Sequence, residues 1–379
     1  MQLSVIILNY NVRYFLEQCI YSVQKALANL NPDDSGEIII VDNNSSDGSC
    51  EMVKRLFPNI QLIENKENLG FPKGNNIGVA VAKGEYICIL NPDTVLAEDT
   101  FTKLFQADYG QQNTGIVGCK LIDGSGSFLP ESKRGLPTPW VSITKIFGLY
   151  KLFPKWHWFN QYYAQHISEN TSGKVAILVG AFMFMKRNLY LEIGGFDEDC
   201  FMYSDDIDLS YTAIKHGYEN YYYPKTTIIH YKGESTVRDG AYMERFRNAM
   251  QYFYKKHFKK SFLFDTMMRF GSFLFVILKK NQQNTAKRKI DSYIIFTKNK
   301  FDLNVGEPIC YLSSFEMFKK VSGENIEIIF NTDDFSYVEI INFMQLNKNK
   351  NITYKNYFPH SKFLIGSNNS NDRGEVRLL

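Results

Sequence analysis

The sequence lacks most of the features that mark a nucleic-acid-binding or secreted protein. Its net charge is only +3 over 379 residues, so the chain has no overall basic field, and we predict no nucleic-acid partner. The six cysteines form no closely spaced pair, and several lie in apolar patterns, which indicates buried, reduced thiols. The first apolar run ends at Asn9, too early for a signal peptide. We therefore expect a cytoplasmic protein.

A long hydrophobic run is also absent from the sequence. The most apolar part of residues 251–289, Phe262–Leu278, is about one helical turn short of a membrane span and carries Asp265 and Arg269. Residues 251–289 contain ten basic residues and one acidic residue. This composition favours an amphipathic helix that lies on an anionic membrane surface, so we expect a peripheral protein at the inner face of the cell membrane. The alternative is a core helix whose basic flanks are merely solvated.

Short apolar runs alternate with helical periodicity along the first half of the chain. This rhythm predicts an α/β fold with a parallel sheet and helices on both faces. Polar clusters directly follow three of the predicted strands, at Asn9–Asn11, Asp42–Asp47 and Asn91–Thr94. In such sheets ligands bind beyond the carboxyl ends of the strands, so the three clusters predict one ligand site.

Changes in composition divide the chain into residues 1–250, which hold the predicted ligand site and would form the catalytic domain of an enzyme, the basic helical segment at 251–289, and a small appended α/β module of unassigned role at 290–379. Residues 130–172 contain all three tryptophans. They form either a loop packed on its own aromatic rings or a lid over an acceptor sugar, whose apolar face suits such rings. Further predicted elements are a strand at 175–185, helices at 205–216 and 313–321, and a hairpin around 367–374.

Two of the polar clusters carry chemistry that is ambiguous when each is taken alone. Asp93 ends a buried strand and could hold a divalent cation, yet Asn-Pro-Asp is also a common turn. Asp42 could accept a hydrogen bond from a nucleobase, and the Ser and Gly residues after it suit either phosphate binding or helix capping.

Three further motifs are equally open. The run Glu67–Gly78 combines glycines that permit close backbone approach with paired Asn side chains, and it lacks the Walker pattern. Asp205 and Asp206 begin a predicted helix, where an acid either complements the helix dipole or acts as a base. His230 follows an apolar strand and is either a core histidine or a ligand for a metal or diphosphate.

Together and in order, these motifs resemble the inverting family 2 glycosyltransferases of the GT-A fold, and especially their rhamnosyltransferase-like members. The resemblance covers residues 3–240 and rests on the runs SVIILNYN, VDNNSSDGS, ENLGFPKGNN, GEYICILNPDT, GGFDE, YSDDIDL and HYKGES. It implies a Rossmann-like mixed sheet. It also implies transfer of a sugar, with rhamnose a candidate, from a nucleoside-diphosphate donor to a hydroxyl of a glycan or lipid-linked glycan.

The resemblance also implies a role for each matching residue. Asp206 would be the general base, and Asp205 would orient the acceptor hydroxyl. Asp93 would hold Mg²⁺ or Mn²⁺, with help from His230. The nucleotide-sugar site would comprise Asn9, Asp42, Asn44, Asn68, Gly70, Asn75, Asn91 and Asp93, with Asp42 at the nucleobase.

The sequence departs from the family pattern where Asn91 replaces the first metal-binding acid and Asp205 replaces the usual Glu. It also has Thr212 where Arg is frequent, and Pro72-Lys73 where small residues are usual. A sugar-nucleotide pyrophosphorylase is one alternative, but that class has a Gly-rich basic loop after the first strand. A non-catalytic glycan-binding or membrane-associated protein is another, although it would not need the acids at 93, 205 and 206 together.

Overall fold

The computed structural model describes residues 1–30, 35–107, 113–153, 155–156, 158–200, 204–232, 240–258, 266, 289–301, 303–319, 324–368 and 374–379. These residues form two β-sheets with flanking helices. The strands of the first sheet are β1 (Leu3–Asn9), β2 (Gly36–Asp42), β3 (Gln61–Glu64), β4 (Tyr86–Leu90), β5 (Thr94–Val95), β6 (Thr114–Ile122), β7 (Gly173–Lys174), β8 (Phe182–Lys186) and β9 (Glu219–His230).

The first sheet has the spatial order β3-β2-β1-β4-β8-β6-β9-β5, and β7 pairs with β9. Strands β1 to β4 are mutually parallel, as the alternation of apolar runs predicts. The sheet becomes mixed because β8 lies antiparallel between β4 and β6. This insertion brings the residues just before β8 to the carboxyl end of β4, beside the polar cluster that follows that strand.

The helices lie mostly around the first sheet. They are α1 (Arg13–Ala28), α2 (Ser49–Leu56), α3 (Gly70–Val81), α4 (Thr100–Gln106), α5 (Pro139–Ile146), α6 (Leu149–Leu152), α7 (Arg187–Glu192), α8 (Asp205–Lys215), α9 (Gly240–His257) and α10 (Tyr337–Leu346). Core clusters fill both faces of the sheet, because the central strands β1 and β4 are apolar and buried on both sides.

Glycines in α3 let this helix pack directly on the sheet. A Cβ at Gly74 would lie 2.3 Å from Leu8 Cδ1, and a Cβ at Gly78 would lie 2.5 Å from Ile6 Cγ2. The glycine run therefore serves close helix–strand packing, which the sequence alone does not separate from donor binding. Asn76, in the same helix, donates to the carbonyl oxygen of Phe196 at 2.9 Å and so fixes a distant turn.

We expect Gly78→Ala to destabilise the protein. Alanine favours a helix by about 1 kcal/mol over glycine, but overpacking a core costs about 1–3 kcal/mol. The neighbour that must yield is Ile6, a β-branched residue on a central strand that is fully buried. Urea unfolding of the variant measures the balance. Helix propensity alone predicts that the variant has a higher free energy of unfolding. Such an increase would contradict the close packing of Gly78 on Ile6.

The second sheet, in residues 292–378, has the order β11-β10-β12-β13-β14-β15. Its strands are β10 (Ser292–Phe296), β11 (Ile309–Leu312), β12 (Ile326–Asn331), β13 (Ile352–Phe358), β14 (Phe363–Gly366) and β15 (Glu375–Leu378). Parallel pairing joins β11, β10, β12 and β13, whereas β14 and β15 form an antiparallel hairpin around the predicted turn. The exact limits of the catalytic domain, basic segment and C-terminal module stay predictions.

The two sheets share a hydrophobic cluster and several polar contacts. The Glu98 carboxylate accepts hydrogen bonds from the first backbone N–H groups of α10, those of Tyr337 and Val338, at 2.8 Å each. Tyr231, immediately after β9, is buried in the shared cluster, and its hydroxyl contacts Gln18 and Asn356 at 3.3 and 3.4 Å. The second sheet thus supports the end of the strand that carries His230.

Several local predictions need correction. Residues 175–181 are irregular rather than strand, because β8 begins only at Phe182. The described part of the predicted helix at 313–321 contains only a 3-10 turn at Phe315–Met317. All six cysteines are free and five are buried, but Cys310 is exposed because it lies on the edge strand β11.

The basic segment is described only at its beginning. Residues 251–257 form the end of α9. In this part of the helix, Phe253 and Tyr254 are buried in a cluster with Ile177 and Ile207. Residues 259–265 and 267–288, which carry most of the predicted membrane-surface helix, lie outside the described residues. Among the helices that the structure describes, none has the length and hydropathy required to cross a bilayer.

Candidate active site

The turn after β2 is organised by the carboxylate of Asp42. Its Oδ1 accepts a hydrogen bond from Asn9 Nδ2 at 2.7 Å, and its Oδ2 accepts one from the Ser45 backbone N–H at 2.7 Å. Asn9 also donates to Ser45 Oγ at 3.1 Å, which ties the ends of β1 and β2 together. Asp42 is only 2% exposed, so its observed role is to shape this turn. A contact with the nucleobase stays a prediction.

A side-chain network through Asn43, the residue after Asp42, places Asn68 and Gly70 at the same end of the sheet as Asp42. Asn68 Oδ1 accepts hydrogen bonds from the Gly70 N–H at 3.0 Å and from Asn43 Nδ2 at 3.2 Å. Asn43 Nδ2 also donates to the Gly70 carbonyl at 3.1 Å. Asn44 is exposed and has a φ of 63°, a left-handed conformation that Asn tolerates better than most residues.

Asn75 is fully buried in α3. Its Nδ2 donates to the Phe71 carbonyl at 2.9 Å, but its Oδ1 has no hydrogen-bond donor within the part of the chain that the structure describes. An unpaired buried polar atom costs about 1–3 kcal/mol. A ligand that donated a hydrogen bond to this oxygen would remove that cost, so Asn75 remains a candidate for the donor pocket.

Strand β5 brings Asp93 and His230 together. Thr94, the first residue of β5, pairs with His230 at the end of β9, and the Tyr231 N–H donates to the Asp93 carbonyl at 3.0 Å. His230 Nε2 lies 3.4 Å from Asp93 Oδ1, and both side chains are buried. His230 Nδ1 finds no hydrogen-bond partner among the described residues. The two residues predicted to hold a metal are therefore neighbours in space.

Asp206 lies on the first turn of α8 and is paired with Arg134. Its Oδ2 accepts hydrogen bonds from Arg134 Nη2 at 2.5 Å and from the Gly180 N–H at 3.1 Å. Burial alone would lower the pKa of Arg134, but Asp206 and Tyr162 outweigh that effect and raise it above its usual value. The guanidinium therefore keeps its charge beside the Asp206 carboxylate. Within the described residues, Asp206 Oδ1 accepts no hydrogen bond.

The dipeptide Gly180–Ala181 connects the Asn91–Asp93 turn to Asp206. The Gly180 N–H donates to Asp206, and the next residue, Ala181, accepts a hydrogen bond at 3.1 Å from the backbone N–H of Asn91. Gly180 also faces both Asp206 and the Phe71 ring, because a Cβ there would lie 3.4 and 3.5 Å from them. The fold thus gathers the turn after β4, the start of α3 and the start of α8 around one point.

The three acids at the start of α8 differ in their surroundings. Asp208 is buried and accepts hydrogen bonds from His257 Nε2 at 2.6 Å and from Lys256 Nζ at 2.9 Å, so it joins α8 to α9. Asp205 is also buried, at the first position of the helix. Its predicted role in orienting the acceptor hydroxyl stays a prediction.

We expect Asp197, which also binds Lys256, to make stability depend on acid pH. Burial alone would raise the pKa of Asp197, but hydrogen bonds from Lys256 and Tyr252 lower it below the usual 3.8. The contribution of Asp197 to the free energy of unfolding is then complete above its unfolded-state pKa, and it disappears as the pH falls through its folded-state pKa. Asp197→Asn should flatten the stability curve below about pH 3.8. Urea unfolding across acid pH tests this; parallel curves for the two proteins would contradict it.

Sequence reasoning did not predict the charged residues near Asp206 and His230. Arg134 binds Asp206, and Glu131 forms an ion pair with Lys232, which keeps the pKa of the Glu131 carboxyl below its usual range despite burial. The positive charge of His230, when protonated, favours the same ionised state. These residues lie in irregular segments without periodicity, and the adjacent basic pair Lys133-Arg134 in an aromatic loop is the only signal that the sequence offered.

A family model described as Glycosyl transferase family 2 matches residues 4–194, half of the chain. The chain belongs to glycosyltransferase family 2. It is therefore a glycosyltransferase, and the pyrophosphorylase and non-catalytic alternatives are set aside. The mixed α/β sheet is the GT-A fold that the motifs imply. The matched range contains Asp93 but ends before Asp205, Asp206 and His230.

Curated relatives of this glycosyltransferase include two named for rhamnosyl transfer. One is the N-acetylglucosaminyl-diphospho-decaprenol L-rhamnosyltransferase of Mycobacterium tuberculosis, 26% identical over 54% of this chain and 69% of that protein. The other is the rhamnosyltransferase WbbL of Escherichia coli, 28% identical over 55% of this chain and 78% of that protein. Both alignments span about 215 residues, which leaves much of this chain without a counterpart.

Among solved structures, the chain is similar to a mannosyltransferase from Pyrobaculum calidifontis in complex with GDP-Man and Mn²⁺. The sequence identity is 21%, the coverage is 72% of this chain and 69% of that one, and the TM-score is 0.45. At this TM-score the similarity carries no argument about ligands.

Proposed function

We propose that this glycosyltransferase moves a sugar, with rhamnose the leading candidate, from a nucleoside-diphosphate donor to a hydroxyl of a lipid-linked glycan, with inversion at the anomeric carbon. The observation that carries the proposal is the joint attachment of Asp206 and the Asn91–Asp93 turn to the Gly180–Ala181 dipeptide. This attachment supports the proposal because a single in-line displacement requires the proposed base and the proposed cation-binding residue to lie within one site.

In this proposal Asp206 is the general base. Arg134 and the Gly180 N–H hold Oδ2, so Oδ1 is the oxygen that accepts the proton of the acceptor hydroxyl as its oxygen attacks the sugar. The same two donors fix the carboxylate plane before the reaction. Asp205, its neighbour on the first helical turn, orients the acceptor hydroxyl.

Asp93 and His230 fit a divalent cation. Two ligands that share one ion at right angles lie about 3 Å apart, and His230 Nε2 and Asp93 Oδ1 are separated by 3.4 Å. A carboxylate and a neutral imidazole are a suitable pair for Mn²⁺, and Mg²⁺ commonly takes one or two carboxylates plus phosphate oxygens. No cluster of three His, Cys, Asp or Glu side chains that could hold a metal occurs among the described residues. When bound, the cation would neutralise charge on the diphosphate leaving group.

The relatives support the choice of sugar and acceptor. Two of them are named as rhamnosyltransferases, and one is named for an N-acetylglucosaminyl-diphospho-decaprenol, which is a sugar carried by a lipid. Such an acceptor would reside in a membrane, which suits the basic composition of residues 251–289. We therefore propose a peripheral enzyme at the inner face of the cell membrane.

A panel of nucleoside diphosphates and their sugars tests the donor directly. Thermal unfolding with Mn²⁺ present should show the largest upward shift of the midpoint with thymidine-diphosphate ligands, because a ligand that binds only the folded state stabilises it. Release of the nucleoside diphosphate from dTDP-rhamnose then reports turnover. A shift confined to uridine or guanosine ligands would overturn the rhamnose assignment but leave glycosyl transfer intact.

A further inference from the structure

An exposed aromatic patch lies in the segment that follows Arg134, the partner of the candidate base. It consists of apolar side chains on and after α5 and α6 that are 40–69% exposed: Trp140, Phe147, Leu152, Phe153, Trp156 and Trp158. Contiguous apolar surface of this kind is uncommon on soluble proteins and marks an interaction surface. Because all three tryptophans of the chain belong to it, burial within the protein does not account for its composition.

Three rings of the patch pack around Phe159. The Phe159 ring lies 5.9 Å from that of Trp140, 5.2 Å from that of Phe153 and 6.2 Å from that of Trp156. Trp140 Nε1 donates a hydrogen bond to the Trp158 carbonyl at 2.8 Å, so its polar edge is satisfied while the ring stays exposed. The rings are therefore held in place rather than collapsed onto a core.

The Lys and Arg side chains of the segment that carries the patch have no acidic side chain among them. Residues 132–168 contain five basic side chains and no Asp or Glu. Lys151 and Lys155 are exposed between the apolar residues of the patch. Lys145 lies 3.8 Å over the Tyr162 ring and contributes a further positive charge at its base. Tryptophan beside lysine is the composition that favours the interface of an anionic membrane, where amphipathic rings sit among the headgroups.

The patch is anchored next to the candidate base. The Gly135 N–H, directly after Arg134, donates to the Tyr162 carbonyl at 3.1 Å, which closes the segment that carries the patch. Ser142 of α5 is hydrogen-bonded to Tyr254 of α9 at 2.7 Å. The segment that carries the patch therefore begins next to the Arg134–Asp206 pair.

We propose that the aromatic patch is a membrane-binding surface that inserts its tryptophan rings into the headgroup region of an anionic lipid bilayer. It consists of other residues than the predicted contact through residues 251–289 and would hold the acceptor side of the active site against the membrane. The inference extends the lipid-linked acceptor of the proposed function but does not need it, because lipid binding is measured without donor or acceptor.

Intrinsic fluorescence of the full chain tests the proposal, because its tryptophans all lie in the patch. Vesicles of phosphatidylcholine with phosphatidylglycerol should shift the emission to shorter wavelength, and bromine atoms on the lipid acyl chains should quench it. Vesicles of phosphatidylcholine alone should produce a much smaller effect, since the lysines then lack a counter-charge. An emission spectrum that does not change while the protein co-sediments with anionic vesicles would overturn the proposal, because another surface would then make the contact.

Variants separate the patch from other surfaces. The double variant Trp156→Ser, Trp158→Ser should weaken co-sedimentation with anionic vesicles by at least about tenfold, since it removes two of the most exposed rings. Met317→Ser, which removes an apolar side chain that is 52% exposed on the C-terminal module, should change nothing. Thermal unfolding confirms that both variants are folded. Undiminished binding of the double variant, or an emission shift that follows protein concentration without lipid, would refute the membrane assignment; the latter would indicate self-association.

Discussion

Replacing Asp206 with Asn should lower kcat by about 10²–10⁴-fold, which is the usual contribution of a general base. The amide has nearly the same shape as the carboxylate, so its oxygen can still accept hydrogen bonds from Arg134 and the Gly180 N–H. The group in the place of Oδ1 then becomes an NH₂, which cannot take a proton from the acceptor hydroxyl. Donor binding, measured by calorimetry, should be almost unchanged because the nucleotide site that we propose comprises other residues.

Asp208→Asn is the matched control for this variant. Asp208 stands two residues further along the same helix but faces His257 and Lys256 instead of the site. The substitution weakens charge-assisted hydrogen bonds in a buried setting, so it should lower the free energy of unfolding by about 1–3 kcal/mol. Its kcat should remain within a few-fold of that of the unmodified protein. Equal losses of kcat in the two folded variants would mean that Asp206 has no special role.

Arg134 explains why the surroundings of Asp206 could not be predicted. Apolar runs that are buried on both faces gave the positions of β1, β2 and β4, because that pattern depends on local sequence. The polar clusters after those strands were recognisable for the same reason. The Arg134–Asp206 pair joins residues 72 positions apart, and the first of them lies in a segment with no regular period. Only the folded chain brings them together.

The glycine run that ends at Gly78 has both a structural and a ligand-binding interpretation. Its density of specific residues favoured a ligand-binding role, yet a Cβ at Gly74 or Gly78 would lie only 2.3–2.5 Å from side chains of β1, so close packing requires glycine at both positions. Close packing and close approach to a ligand select the same residue, so the sequence cannot tell them apart. Asn75, whose side-chain oxygen is buried without a donor in the described structure, keeps the ligand-facing interpretation open for one position of the run.

Replacing Asp93 with Asn should lower kcat/KM by about 10²–10³-fold, because charge neutralisation of a leaving group by a bound cation contributes several kcal/mol. An amide is a weaker ligand for a hard cation than a carboxylate, and the remaining protein ligand, His230, is neutral when it binds. His230→Ala should have a smaller effect, on the order of tenfold, because Asp93 keeps the negative charge.

Metal binding offers a measurement of Asp93 that does not depend on turnover. Mn²⁺ affinity in the presence of a nucleoside diphosphate, followed by electron paramagnetic resonance, should fall in Asp93→Asn and to a lesser degree in His230→Ala. Asp123→Asn is the control, because Asp123 is another buried acid just after a strand, and its Oδ1 only accepts hydrogen bonds from Ser125 and Ser127 in its own turn. Unchanged Mn²⁺ affinity in Asp93→Asn would contradict cation binding at Asp93. The charge that neutralises the leaving group would then have to come from a basic side chain such as Lys232.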